Sequence, residues 1–300
     1  MLDKQTHIYK TATDCEIRAD VYRIPDDMPR PAILWLHGGA LIFADRTTLP
    51  PDQLDRYVQA GYVVIAADYR LAPEVKLEAI IEDVRDGYDW VRGSGPRLFQ
   101  VDPERIAVIG HSAGGYLALM TGFSVQPRPK ALVSFYGYGD ITSEWYSRPD
   151  PFYNQQPAVP KEEAYQAVGG PVIAGTPFEG ALFEARYRFY LYCRQQGRWP
   201  IEVCGHDPAT EPAWFDPFCP LRNVTESYPP ALLIHGDQDT DVPFQQSVLM
   251  SQELERRGVE HEFIRVRNRG HVFDLEGRGM RDPDTWELFD RVLAFLRKEL

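Results

Sequence analysis

The 300-residue sequence contains no apolar run long enough to cross a bilayer or to act as a secretory leader. Residues 1–7 are charged from the third position onward, and nothing after them approaches the ~18–20 consecutive apolar residues that a span requires. A cytoplasmic protein working away from membranes is therefore expected. No block of five or more basic residues occurs either. The formal net charge of −12 and pI near 5.1 exclude nucleic acid as a partner, because a phosphate backbone is gripped by clustered Lys and Arg. Cysteine is scarce: Cys15, Cys193, Cys204 and Cys219 are irregularly spaced, form no C-x-x-C pair, and so suggest buried free thiols rather than a zinc site or a disulfide framework. The acidic run around Asp237, Asp239 and Asp241 is no calcium loop, since Val242 stands where such a loop needs Gly and no Glu follows at its twelfth position. No metal and no cofactor are expected. Repeats, low-complexity tracts and flexible linkers are also missing, so residues 1–300 read as one domain.

What is present is an apolar content of 44%, enough over this length to bury a large α/β core. β-Branched runs bounded by turn residues, at 16–22, 32–36, 63–67, 105–109, 131–135, 231–234 and 262–266, alternate with amphipathic stretches at 51–60, 77–91, 114–123, 244–257 and 283–298. That alternation is the sequence form of a parallel sheet with helices on both faces, in which ligands sit beyond the carboxyl ends of the strands. Residues 140–228 break the pattern, being rich in proline and aromatic rings, and read as an insertion. Within it, 161–168 and 179–196 are expected helices, the second presenting Phe183, Tyr187, Tyr190 and Leu191 at spacings of three and four. Each ring by itself could simply pack the insertion onto the body. Together they suit an aromatic cap that excludes water from a substrate pocket.

The chemistry-bearing motif is Gly110-His111-Ser112-Ala113-Gly114, set between an apolar strand and a helical stretch. A serine hydroxyl is a weak nucleophile, and a sharp strand-to-helix turn presents it in the open, where a base can reach it. An ordinary turn carrying a serine is the plainer explanation, and the flanking strand and helix weigh against it. Such a serine needs a base, an acid to orient that base, and oxyanion donors. Of the seven histidines, His37, His111 and His235 lie against glycine turns that they would brace, His261 starts a strand and His7 is near the amino end. His271 remains, in the loop after the last strand, with His206 of the insertion as its rival. Asp237, Asp239 and Asp241 all follow the strand at 231–234; Asp237 suits a local turn bond, and Asp239 is favoured as the acid for its position deeper in the loop. Oxyanion donors are expected from the N–H of Ala113 and from the turn His37-Gly38-Gly39-Ala40.

Taken together, His37-Gly-Gly-Ala40, Asp68-Tyr-Arg-Leu-Ala-Pro-Glu74, Gly110-His-Ser-Ala-Gly114, His235-Gly-Asp-Gln-Asp-Thr-Asp-Val-Pro243 and the Gly270-His-Val-Phe run resemble the esterase and lipase branch of the α/β-hydrolase superfamily that includes the hormone-sensitive-lipase group. The resemblance covers the chain apart from the insertion. It implies an α/β-hydrolase fold: a mostly parallel eight-stranded sheet flanked by helices, here with a large aromatic-rich cap insertion. It further implies a metal-free serine hydrolase with the triad Ser112, Asp239 and His271 and oxyanion donors Gly39, Ala40 and Ala113. Carboxylic esters are the implied substrates, and a Gly-Gly-Ala turn resembles members that accept bulky alcohols. The expected function is a carboxylesterase for small or short-chain acyl esters, with a small-molecule ester as partner and a homodimer as the oligomer considered. His111 stands where the hormone-sensitive-lipase group usually has Asp, Ala40 replaces its third glycine, and its amino-terminal cap helices are missing. The alternatives are an amide hydrolase of the prolyl-oligopeptidase or arylformamidase type on the same triad, and a binding protein on a hydrolase scaffold.

Overall fold

The computed structural model describes residues 2–275, 279 and 282–300. The chain opens with strands β1 (Asp3–Ala12), β2 (Cys15–Arg23) and β3 (Arg30–Leu36), then helix α1 (Pro51–Gln59), strand β4 (Val63–Ala67) and helix α2 (Leu77–Phe99). Strand β5 (Val101–His111), helix α3 (Ala113–Ser124) and strand β6 (Ala131–Phe135) follow. Between β6 and the next strand lie only helices: α4 (Glu144–Ser147), α5 (Lys161–Ala164), α6 (Ala181–Gln196), α7 (Trp199–Cys204) and α8 (Pro220–Asn223), with short 3-10 turns. The chain closes with β7 (Ala231–Gly236), α9 (Gln245–Arg256), β8 (His261–Val266) and α10 (Pro283–Glu299).

The eight strands form one sheet in the order β1-β2-β4-β3-β5-β6-β7-β8. The pairings β1 with β2 and β2 with β4 are antiparallel, and the remainder are parallel. Parallel strands need both faces covered, which is why β4 (Val-Val-Ile-Ala-Ala) and β6 (Ala-Leu-Val-Ser-Phe) are buried at every position. Side chains alternate across the sheet, so neighbours in one strand serve different cores. Ile33, Trp35, Val64, Ala66, Ile109 and Val133 join the cluster that includes Leu288, Phe289 and Val292 of α10. Leu34, Leu36, Ile65, Val108 and Leu132 join the opposite cluster, which extends without interruption into Tyr138, Tyr146, Phe189 and Trp199 of the segment between β6 and β7.

Three features depart from the sequence reading. Strand β1 was not expected, because Asp-Lys-Gln-Thr-His-Ile-Tyr-Lys-Thr-Ala shows no apolar face. It is an edge strand held by polar anchors: the Tyr9 hydroxyl donates to Asp68 O at 2.6 Å, and Lys10 Nζ lies 2.8 Å from the buried Asp83 carboxylate. Charged edge residues of this kind also discourage pairing with another chain. Helix α2 passes through Gly93, Gly95 and Pro96, where an end near Val91 was expected, and stops at a left-handed cap on Gln100. Burial of Phe99 and Val101 decides this, and Gly95 suits the close approach of the helix to Val101, since an added Cβ would stand a tight 3.1 Å from Val101 Cβ. The helix expected over 161–168 shortens to α5 followed by a 3-10 turn over Tyr165–Ala167.

The four cysteines are buried and unpaired. Among the described residues no helix is long and apolar enough to cross a membrane, and no group of three or more His, Cys, Asp or Glu side chains is placed to hold a metal ion.

The burial pattern assigns the stability to the central strands. Leu132→Ala, at a fully buried position of β6, should lower unfolding free energy by about 2–5 kcal/mol, whereas Ile8→Ala, 49% exposed on β1, should change it by no more than about 0.5 kcal/mol; urea denaturation of both variants checks the difference.

Candidate active site

Ser112 lies between the end of β5 and the start of α3 at φ 55° and ψ −117°, a conformation that an L-residue holds at a cost of about 1–3 kcal/mol. The turn is that tight because its flanking glycines let backbones meet. A Cβ at Gly110 would stand 2.0 Å from Gly114 O, and one at Gly114 would stand 2.0 Å from Leu36 O. A bond from Ser112 N to Phe135 O at 2.9 Å ties the strained residue to β6.

The loops after β7 and β8 deliver the two partners. Asp239 Oδ2 lies 2.7 Å from His271 Nδ1, and His271 Nε2 lies 3.0 Å from Ser112 Oγ. An ionised carboxylate only accepts, so Nδ1 carries a proton and, in the neutral ring, Nε2 is free to take the serine proton. Asp239 is buried and fully occupied. Oδ1 accepts from the amides of Asp241 and Val242 at 2.8 and 2.9 Å, while Oδ2 also accepts from His235 Nε2 at 3.1 Å. His235 is turned this way by Val242 O at 3.0 Å and by Ser247 Oγ, which donates to Nδ1 at 2.7 Å. Burial opposes ionisation of Asp239, but the two adjoining imidazoles outweigh it and hold the carboxyl well below the usual carboxylate range. Burial likewise opposes a charge on His271, and the carboxylates of Asp241 and Asp239 overcome it, raising its pKa above the ordinary imidazole value.

The other candidates have different principal partners. Asp237 accepts from Asn268 N at 2.7 Å and Arg265 Nε at 2.8 Å, so it secures the loop that carries His271. Asp241 approaches His271 Nε2 at 3.5 Å and is bound by the Tyr190 hydroxyl and by Arg194 Nη1, the latter at 2.5 Å. His206 stacks on Trp214 at 4.1 Å and meets Glu211 at 3.0 Å, a partnership separate from Ser112. His37 stacks on Tyr69 at 4.1 Å and donates from Nδ1 to Gly38 O at 2.8 Å, with burial pushing its pKa down to about 4.

Ala113 begins α3 directly after the serine. Gly39 and Ala40, in the turn after β3, line the same cavity as Ser112 and His271. Both are in the left-handed region, at φ 91° and 54°, and a Cβ at Gly39 would collide with Phe43 O at 2.0 Å. The cavity measures about 1250 Å³ and is walled by Phe43, Tyr153, Phe183, Tyr187 and Tyr190, with Phe152 and Phe178 exposed at its mouth. Phe43 is the hub of these rings, meeting Phe183, Tyr187 and Tyr190 edge-on at 5.6, 5.9 and 5.7 Å. Asp52, Glu179, Asp241 and Asp274 are the acidic residues of the lining, and no Lys or Arg stands among the described lining residues.

A second buried network escaped the sequence reading. Trp35 Nε1 donates to His111 Nδ1 at 3.1 Å, which fixes the tautomer whose Nε2 donates to Asp274 Oδ2 at 3.0 Å. Asp274 also accepts from Gln53 Nε2 at 2.6 Å and from the Tyr136 hydroxyl at 2.7 Å. Burial disfavours its charge, yet these bonds and His111 keep its pKa below the ordinary value. The residue preceding the nucleophile is thereby tied to the loop that carries His271. No local motif marks Asp274, since its partners lie in β5, α1 and the turn after β6.

Comparison with known proteins agrees with this architecture. A family model described as the alpha/beta hydrolase fold matches residues 33–175, and one for the prolyl oligopeptidase family matches residues 190–300. The non-reducing polyketide synthase adrD of Penicillium rubens is 29% identical over 343 aligned residues, covering 99% of this chain but 14% of the synthase. The chain thus spans about a seventh of that relative's length. Among solved structures, a Staphylococcus aureus protein of unknown function superposes with TM-score 0.79 at 23% identity, covering 99% of each chain. An alpha/beta hydrolase superfamily protein from Enterococcus faecalis gives TM-score 0.75 at 24% identity over 98% of each. Esterase 2 of Thermogutta terrifontis gives 0.67 at 20% identity over 98% of this chain and 92% of the other, and has also been seen bound to propionate and phosphorylated by paraoxon. With two family models matching successive parts of the chain and solved structures of this fold superposing over nearly all of it, the chain belongs to the α/β-hydrolase superfamily.

Proposed function

We propose that the protein is a serine carboxylesterase acting on small, neutral, short-chain acyl esters. One observation carries the reading: Ser112 Oγ, His271 and Asp239 form a continuous relay of 3.0 and 2.7 Å at a strained elbow, beside a glycine turn and inside an aromatic cavity. His271 Nε2 takes the serine proton as Oγ bonds to the ester carbonyl carbon. The N–H groups of Gly39, Ala40 and Ala113 stabilise the oxyanion, and the tetrahedral species collapses as His271 returns the proton to the departing alcohol. Water, deprotonated by the same imidazole, attacks the acyl-serine, and the carboxylic acid leaves with Ser112 restored. Asp239 stabilises the imidazolium in both halves. Residues 140–228 serve as the cap, supplying Tyr153, Phe183, Tyr187 and Tyr190 to the pocket wall within a single folded unit. The propionate complex of the Thermogutta esterase supports a short acyl group.

The match of residues 190–300 to the prolyl oligopeptidase family favours a second reading, an amide hydrolase on the same three residues. Parallel assays on p-nitrophenyl esters and aminoacyl anilides separate the two. Faster ester turnover supports the proposal, and faster anilide cleavage replaces it. Ser112→Ala should reduce ester turnover by about 10⁴- to 10⁶-fold and leave the fold intact by circular dichroism.

The charges of the cavity generate two further expectations. Because His271 must be neutral to accept a proton, kcat/KM rises with pH through its pKa, which Asp241 and Asp239 raise against burial and the opposing charge of Arg194. Removing one carboxylate in Asp241→Asn lowers that pKa, so the acid limb of the pH–rate profile should move to lower pH. A lining with carboxylates and no Lys or Arg among its described residues should repel anions. Hemisuccinate esters should therefore react at least about tenfold more slowly than neutral esters of matched size, and the gap should narrow as salt is added.

A further inference from the structure

The oxyanion turn holds a backbone that its own residues disfavour. Gly39, Ala40, Leu41 and Ala44 have φ values of 91°, 54°, 64° and 70°, and three of these four carry a Cβ. Such a conformation persists only where the surroundings over-determine it. Its carbonyls are taken up almost one by one. Gly38 O accepts from His37 Nδ1 at 2.8 Å and from the Tyr69 hydroxyl at 3.2 Å, and Gly39 O accepts from the amides of Ile42 and Phe43 at 2.8 and 3.0 Å. A trans peptide is planar, so a carbonyl pinned on one edge aims the N–H on the other: these bonds orient the amides of Gly39 and Ala40.

The next peptide planes are held from across the molecule. Ala40 O accepts the indole N–H of Trp199 at 3.0 Å, Ile42 O accepts Arg186 Nε at 2.6 Å, and Ala44 exchanges two bonds with Thr176, at 2.9 and 3.0 Å. All three donors belong to the segment between β6 and β7. Trp199 is fully buried, with its ring stacked 4.0 Å from Tyr146. Arg186 is also buried, and its remaining nitrogens bind Ala72 O at 2.5 Å and the Glu74 carboxylate at 3.0 and 2.9 Å. Neither side chain is part of the cavity lining.

We propose that Trp199 and Arg186 are positioning residues for the oxyanion site: by holding the carbonyls of Ala40 and Ile42 they keep the turn in its left-handed form and the amides of Gly39 and Ala40 aimed at the reacting carbonyl oxygen. The segment that walls the pocket is thereby also a template for the turn beneath it. This inference rests on the esterase reading of Ser112, Asp239 and His271 given above. Without the indole N–H, a buried carbonyl has lost its donor and the turn relaxes to recover one.

The test is Trp199→Phe, which keeps an aromatic ring and removes the N–H together with part of the indole's bulk, so the readouts are taken at the turn and at the oxyanion rather than from stability. Expected are a kcat about tenfold or more below the parent with KM within about threefold, and a matching loss of affinity for a trifluoromethyl ketone, whose adduct with Ser112 bears the oxyanion. Amide hydrogen exchange in residues 38–44 should quicken while the elbow around Ser112 keeps its protection. The paired variant Glu74→Gln with Arg186→Met, which leaves no buried charge alone, should move all three readouts in the same direction. Unchanged exchange in 38–44, or kcat and inhibitor affinity within twofold of the parent, overturns the proposal. If the parent cleaves no ester while exchange in 38–44 still responds to Trp199→Phe, the esterase reading fails and the positioning role stands.

Discussion

The site depends on one strained residue. Ser112 stays at a positive φ because β5 and α3 are locked on either side of it, and because Gly110 and Gly114 let the backbone of the elbow and of β3 approach to distances that a Cβ would forbid. The strain is small beside the burial of the strands that enforce it, since β6 and the half of β5 that leads into the elbow are buried at every position. With the serine fixed at the carboxyl end of the sheet, the acid and the base can arrive on loops after β7 and β8, strands that lie successively outward from β6. Topology thus brings together residues far apart in sequence, and the loops need only adjust the last few ångströms.

Around the serine many polar groups are buried, and the two carboxylates at the centre of the networks are fully partnered. Asp239 accepts from two histidines and two amides, and Asp274 from a glutamine, a tyrosine and a histidine. Networks of this kind rigidify when complete and destabilise when broken, which suits groups that must hold a proton path to within a few tenths of an ångström. Helix α6 joins the system along one stripe. Arg186, Tyr190 and Arg194 recur every fourth residue, so they share a face. The first holds the oxyanion turn and the other two hold Asp241 beside His271, with Arg194 also stacked 4.7 Å from Tyr153.

Much of this was legible in the sequence because the decisive signals are local. The elbow needs five adjacent residues, the glycine turn three, and the acid and histidine each follow a recognisable strand. The parallel sheet was legible in the buried runs at β3 to β8. What escaped reading was everything fixed by distant partners. Strand β1 is polar and exists by virtue of its pairing with β2 and its anchors at Asp68 and Asp83. Helix α2 continues through two glycines and a proline because Phe99 and Val101 are buried. Asp274 gives no motif, because the groups it accepts from, His111, Gln53 and the Tyr136 hydroxyl, are scattered along the chain. The four-residue spacing of Arg186, Tyr190 and Arg194 was a visible clue that these three share one face of α6. Reach favoured Asp239 among three candidate acids; in the structure its carboxylate lies 2.7 Å from His271 Nδ1, while Asp237 holds Asn268 and Asp241 is held by Arg194 at 3.5 Å from His271 Nε2.

The proposed reaction requires Ser112 to form a covalent acyl-enzyme with His271 as its base. The most direct measurement is intact-mass spectrometry with peptide mapping after exposure to paraoxon or a fluorophosphonate at neutral pH. A single stoichiometric adduct on Ser112 is expected, formed at a rate that falls sharply in His271→Ala. An unmodified Ser112, or a principal adduct on another residue, would contradict it.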